Sequence, residues 1–166
     1  LTSAERLDAL LAAQPQDEQA RYQYRHPKES LQFFGVEPGM TVVEVLPGGG
    51  WWTKILIPYV GAAGKVVGAD YSVPMWALFG EYAPDPATKV NWTSEWPAGT
   101  ADWCASDCAP VSAFVYGSVP DEMKGTADAV LMFRALHHFN RLEDDGGFLS
   151  AALKDTLDIL KPGGVV

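Results

Sequence analysis

Residues 44–52 read "EVLPGGGWW", a carboxylate separated by three residues from three consecutive glycines, which are followed by two tryptophans. Glycine runs cost backbone entropy, so Gly48, Gly49 and Gly50 imply a need for tight turning or for close approach of the backbone to a ligand. Pro47 sets the exit from the preceding segment, and the amides at a following helix start would point at a ligand's polar atoms. Glu44 lies in an apolar run, where a carboxylate needs a partner: either a bound group, or a buried ion pair with Arg25 or Lys28. Asp70, twenty residues beyond Gly50 and followed by Tyr71, ends a second apolar run, "GKVVGAD". It has the chemistry either to accept hydrogen bonds from a ligand or to cap the segment after "YSVP". Farther along, "FRALHHFNR" contains Arg134, His137 and His138. Adjacent histidines diverge in direction and make a poor chelating pair, but one of them has the right pKa to take a proton from an acceptor, the alternative being packing. Arg134 suits an acidic substrate, or an ion pair with Asp128 or Asp144. Of Trp51 and Trp52, one is expected in the core and the other as a wall of the pocket.

These residues need elements to position them. "SAERLDALLAA" spaces Leu7, Leu10 and Leu11 as one helical stripe behind Ser3, and "DEQARYQYR" continues as a second helix. Pro27 opens a short helix that Gly35 stops. "TVVEVL" is β-branched and apolar, the profile of a parallel strand buried on both faces. "WWTKILIPYVG" is helical up to Pro58–Gly61, and "GKVVGAD" is the next strand, which completes a right-handed βαβ unit. "PMWALFGEYA" reads as a helix. Residues 84–110 hold Trp92, Trp96 and Trp103 among four prolines with no sustained period, an ordered irregular excursion whose aromatics form a local mini-core or line an acceptor pocket. "VSAFVYG" and "ADAVLMF" are strands three and four, and "GFLSAALKDTLDILKPGG" is a helix with a Pro-Gly-Gly exit into a fifth strand begun by the final "VV". The fold class expected is α/β: a three-layer, doubly wound, mostly parallel sheet, with a truncation expected where strand five begins. An N-terminal helical extension (1–25) precedes the α/β domain (26–166).

Spacing separates the ligand classes that use such a glycine turn. A phosphate-binding P-loop requires Lys-Ser/Thr after its last glycine, but Lys54 follows Thr53 and Lys65 precedes Val66. In the dinucleotide pattern a third glycine would fall at Thr53. The order of "VVEVLPGGG", "VVGAD", "ADAVLMFRALHHF" and "LDILKPGGVV" resembles the class I S-adenosylmethionine-dependent methyltransferases, and "PGGGWW" with "FRALHHFNR" resembles a bacterial group of predicted methyltransferases. The resemblance covers roughly residues 25–166. It implies S-adenosylmethionine as cofactor, with Glu44 toward the methionine amino group, Asp70 on the ribose hydroxyls, and Pro47, Gly48, Gly49, Gly50, Trp51, Tyr71, Ser118 and Arg134 around the ligand. His137, His138 and Arg134 are the candidates for handling the acceptor, a small molecule. Leu46 stands where that family has its first glycine, and Gly117-Ser118 where it commonly has an acid after strand three. The rivals are a non-catalytic binding protein on the same frame and an NAD(P)-linked oxidoreductase.

Composition bounds the partners. The chain has 166 residues, 48% of them hydrophobic, enough for one domain with a substantial core. A net charge of −9 gives no field to attract a phosphate backbone, so nucleic acid is not expected. No apolar run approaches ~20 residues, so no membrane span is expected. Cys104 and Cys108 are too few ligands for a structural zinc and fit either a local disulfide or two free thiols. The chain begins at Leu1 without Met; a cytoplasmic location is expected, or an exported one if a leader was removed. An open sheet edge invites a homodimer.

Overall fold

The computed structural model describes residues 1–166. Its centre is a five-stranded, all-parallel sheet in the order β3-β2-β1-β4-β5. The strands are β1 (Thr41–Val45), β2 (Lys65–Asp70), β3 (Val111–Val115), β4 (Ala127–Leu131) and β5 (Leu160–Val165). The order reverses between β1 and β4, so this doubly wound sheet has its switch point where their carboxyl ends part.

Four short helices precede the sheet: α1 (Ser3–Ala13), α2 (Gln16–Gln19), α3 (Tyr22–Arg25) and α4 (Pro27–Phe33). The cap of α1 is Thr2 rather than Ser3, because a capping box needs an acid at the third helical position and Glu5 satisfies that count only from Thr2. Thr2 N–H donates to Glu5 Oε2 at 2.8 Å, and Glu5 N–H donates to Thr2 Oγ1 at 3.2 Å. α5 (Thr53–Val60) runs through Pro58 instead of ending there; one missing N–H is tolerated so close to the helix end, and Gly61 closes it. Between β2 and β3, α6 (Val73–Ala77) is shorter than its sequence suggests. The stretch read as irregular contains a true helix, α7 (Trp92–Gly99), flanked by 3-10 turns at Pro86–Lys89 and Ala101–Trp103. The period was hidden because α7 presents only tryptophans to the sheet. Cys104 and Cys108 form a disulfide just beyond it. After β4 come α8 (Leu136–Arg141), α9 (Glu143–Gly146) and α10 (Phe148–Ile159). β5 begins at Leu160, five residues earlier than "VV" suggests, because the strand bulges around Pro162-Gly163-Gly164 while remaining paired to β4 at both ends.

Alternation along the strands divides the core into two. Val43, Val45, Val67 and Ala69 face α8 and α10, with Phe139, Ala152 and Ile159. Val42, Val66, Ala129 and Leu131 face α5, together with Leu7, Leu11 and Leu31 from the N-terminal helices. Residues before position 26 therefore share a core with the sheet. Because Leu7 is completely buried, Leu7→Ala is expected to cost about 2–5 kcal/mol of unfolding free energy in a denaturant melt. A loss near zero would mean that α1 is only loosely docked.

Candidate functional site

A cleft of about 640 Å³ opens at the switch point. It is bounded by the end of β1 and the glycine turn, by Phe133 and Arg134 after β4, by His137 and His138 of α8, and by Glu18, Arg21 and Arg25 of the N-terminal helices. Its size lies within the range for small-molecule sites, ~300–1,000 Å³.

Glu44 forms the floor. Strand alternation turns it toward α5, where its Oε2 accepts from Thr53 Oγ1 at 2.5 Å; it is 3% exposed. Neither Arg25 nor Lys28 pairs with it, since Lys28 reaches Asp8 at 2.6 Å and Arg25 lies over the Trp51 ring at 4.5 Å. Burial pushes the Glu44 pKa up to about 7, against the opposing pull of the Thr53 hydrogen bond and the Arg25 charge. Past Glu44 the backbone turns through Leu46 at φ +54°, a left-handed conformation that disfavours a side chain, which is the physical reason a glycine suits this position. Pro47 is buried, whereas Gly48 and Gly49 are exposed on the cleft and their amides donate to no group of the chain.

Both tryptophans are buried and both also touch the cleft, so one does not serve the core and the other the pocket. Trp52 stacks on Phe133 with ring centroids 4.4 Å apart, Trp51 meets Trp52 edge-on at 4.9 Å, and Trp51 Nε1–H donates to the Glu18 carbonyl at 3.2 Å. Arg134 has φ +57° and pairs with neither Asp128 nor Asp144; Asp128 is taken by Lys161 at 2.8 Å. His138 Nδ1 lies 2.8 Å from the Tyr71 hydroxyl, which also lies 3.4 Å from the Ala135 carbonyl. Burial, then the nearby His137 and Arg141, lower the His138 pKa, and burial raises that of Tyr71, so at neutral pH both are uncharged. Two proton placements satisfy the pair. If the phenol donates to Nδ1, Nε2 carries a proton; if Nδ1–H donates to the phenol, which then donates to Ala135, Nε2 is a free acceptor. Tyr71, completely buried, is thus a support for His138 and not a wall of the cleft.

Four of the expected ligand residues lie off this cleft. Asp70 is 1% exposed and engaged by Lys89, with Nζ 2.9 Å from Oδ2, while Oδ1 accepts from Tyr71 N–H at 2.8 Å. It does not cap α6; Ser72 does. Burial raises its pKa, with Lys89 acting in opposition. Gly50 is covered by Trp103, whose ring would be 2.3 Å from any Cβ there, and Gly68 of β2 is covered in the same way by Trp96 at 2.4 Å. Ser118 is exposed beyond β3 and absent from the cleft, as is Tyr71. Trp92 stacks on Trp96 at 5.2 Å, and Trp96 meets Trp103 edge-on at 6.5 Å, so the three form a mini-core over the β2 side of the sheet. Missed in the sequence were Glu18, Arg21 and Arg25 as cleft residues and Lys89 as the partner of Asp70; the repeated arginines of "QARYQYR" were the only signal available for the former.

No helix is long and apolar enough to cross a membrane. No family model matches the chain, and no curated protein matches it. Among solved structures it is similar to an S-adenosylmethionine-dependent methyltransferase from Aquifex aeolicus, at 23% identity and TM-score 0.49, over 86% of this chain and 62% of that one. It is also similar to an arsenic(III) S-adenosylmethionine methyltransferase from Chlamydomonas reinhardtii, at 16% identity and TM-score 0.48, over 95% of this chain and 46% of that one. A cyclopropane-fatty-acyl-phospholipid synthase-like protein from Lactobacillus casei gives 19% identity and TM-score 0.40, over 89% of this chain and 54% of that one. The chain thus spans roughly half to three fifths of these proteins. Likeness at this level adds nothing to the fold read from the strand order and leaves the chemistry to be argued from the cleft.

The ionisation of Glu44 yields a test of its burial. A carboxyl whose folded pKa is raised from 4.5 to about 7 favours folding below its unfolded pKa, and that contribution is lost as pH rises through 7. Wild-type stability should therefore fall by about 3 kcal/mol between pH 4.5 and 8 on account of this group. Glu44→Gln, which keeps the shape and the Thr53 contact, should remove that slope and raise Tm at pH 8 but not at pH 5. An equal slope in both proteins would mean that Glu44 is ionised and solvated across the range.

Proposed function

We propose that this chain binds S-adenosylmethionine and transfers its methyl group to a small-molecule acceptor. The observation that carries the reading is Glu44: a carboxylate buried at the switch point, at a cost in stability, with one hydrogen-bond partner and a cleft before it. A buried acid kept in that state is explained by a cationic group that completes its hydrogen bonding, and the ligand's ammonium is such a group. The free amides of Gly48 and Gly49 beside it, and the motif order, support the same reading.

When bound, the cofactor supplies an electrophilic methyl on a sulfonium, so the protein's task is alignment rather than activation. Glu44 would hold the amino end and Gly48 and Gly49 would accept close approach of the ligand. His138, supported by Tyr71, would hold or take a proton at Nε2 on the acceptor side. The nucleoside end fits less well: Asp70 would have to exchange Lys89 for the ribose hydroxyls, and Trp103 covers Gly50. That closure favours a second reading, a binding protein that keeps the frame without the chemistry.

Of the two compartments, the Cys104–Cys108 disulfide favours an oxidising one over the cytoplasm. Pairing of two copies along the β5 edge belongs to the same proposal and would be read from the mass in solution.

Titration calorimetry with S-adenosylmethionine and S-adenosylhomocysteine separates the readings. Methyl transfer requires saturable binding that Glu44→Gln weakens by roughly tenfold or more, the effect of losing a charged hydrogen bond. Lys89→Met should strengthen binding, because the ribose would no longer compete with an ammonium for Asp70. Absence of heat in all three proteins would leave the binding-protein reading.

A further inference from the structure

Of the 12 Lys and Arg residues, seven are held in ion pairs, and three of the remaining five, Arg21, Arg25 and Arg134, line the same cleft. None of the three guanidiniums donates a hydrogen bond to any group of the chain, in a protein with a net charge of −9. Like charges gathered without counter-ions repel one another, and a chain with 21 acids has ample means to neutralise them. The two acids on the cleft offset them only in part: Glu18 is engaged by Lys54 at 3.2 Å, and Glu44, whose pKa burial raises to about 7, acts on Arg25 without a hydrogen bond to it. Arg134 itself sits on a left-handed backbone, at φ +57°. The Arg25 guanidinium is further fixed over the Trp51 ring. Planar, weakly hydrated forks beside an apolar wall of Trp52 and Phe133 suit a flat oxyanion carried on an apolar body.

We infer that the acceptor taken by this cleft is a small molecule bearing a carboxylate or phosphate, gripped by Arg21 and Arg134 with Arg25 behind them. The inference deepens the methyltransferase reading and rests on it for the word acceptor; the anion site itself does not. In that reading the cofactor's single carboxylate occupies at most one guanidinium fork, which leaves two for the acceptor.

The test uses benzoate, phenyl phosphate and uncharged benzyl alcohol as probes, by ligand-observed NMR on the full chain without cofactor and again with S-adenosylmethionine added. The anions should bind about tenfold or more tighter than the alcohol and weaken as salt is raised, in keeping with charged hydrogen bonds in a partly exposed cleft. Benzoate against phenyl phosphate tells which oxyanion is preferred. Arg134→Asn, which tolerates the left-handed backbone, and Arg21→Ala, at an exposed position, should each weaken the anions several-fold without affecting Tm, whereas Lys154→Ala on α10 should change nothing. Equal binding of alcohol and anions, no binding of any probe, or indifference to both arginine variants overturns the anion site. Anion binding without any response to S-adenosylmethionine would instead sustain the anion site and overturn the methyltransferase reading.

Discussion

The hydrogen bond from Thr53 to Glu44 joins the end of the first strand to the start of the first crossover helix, and the geometry of the cleft follows from it. A carboxylate at the apolar floor of a parallel sheet is costly, and one hydroxyl recovers only part of its lost hydration. The group responds by holding its proton up to about pH 7. That places a titrating acid on the floor of a cleft that Trp51, Trp52 and two exposed glycines also line, where its charge depends on what occupies the space before it. Around it the chain takes left-handed turns at Leu46 and Arg134, one at the end of each strand that flanks the switch point. Strain in both walls of one cleft is consistent with a surface shaped for binding rather than for stability alone.

The two halves of the carboxyl edge have been treated differently by the fold. On the β1–β4 side the backbone is open and cationic side chains stand unpaired. On the β2 side, Asp70 is neutralised by Lys89, which itself lies over Trp76 at 4.5 Å, and the glycines that could admit a ligand are filled by Trp96 and Trp103. The segment that does this, residues 86–108, is held at one end by Asp107, which pairs with Arg6 at 2.8 Å and accepts from Ala62 N–H at 2.9 Å, and at the other by the Lys89–Asp70 ion pair. An ion pair of this kind is held by Coulomb attraction in a low-dielectric site against the cost of desolvating both members, and is exchangeable because a diol can replace the ammonium's hydrogen bonds to Asp70.

Much of this was legible in sequence because it depends on local pattern. Apolar β-branched runs that contain Glu44 and end in Asp70, the glycine turn between them and the amphipathic spacing of residues 3–13 dictate strands, turn and helix by steric preference and periodicity. The switch-point position of Gly48, Gly49, Arg134, His137 and His138 followed from the alternation of those elements. The helix at 92–99 was not legible, since its buried face is a tryptophan stack against glycine and not a stripe of aliphatic residues, and the start of β5 was masked by a bulge at Pro162-Gly163-Gly164.

What the sequence determined by itself is therefore the doubly wound frame and the identity of the groups at its carboxyl edge, because strand and helix periods and the tolerance of glycine for φ > 0 are properties of short segments. What only the tertiary structure decided is which of those groups meet. Asp70 was given to Lys89, Lys28 to Asp8 and Asp128 to Lys161, and Arg21, Arg25 and Arg134 were left facing one cleft. Pairing among charged side chains far apart in the chain is set by which partner the packed backbone brings within a few ångströms, and no local pattern carries that information.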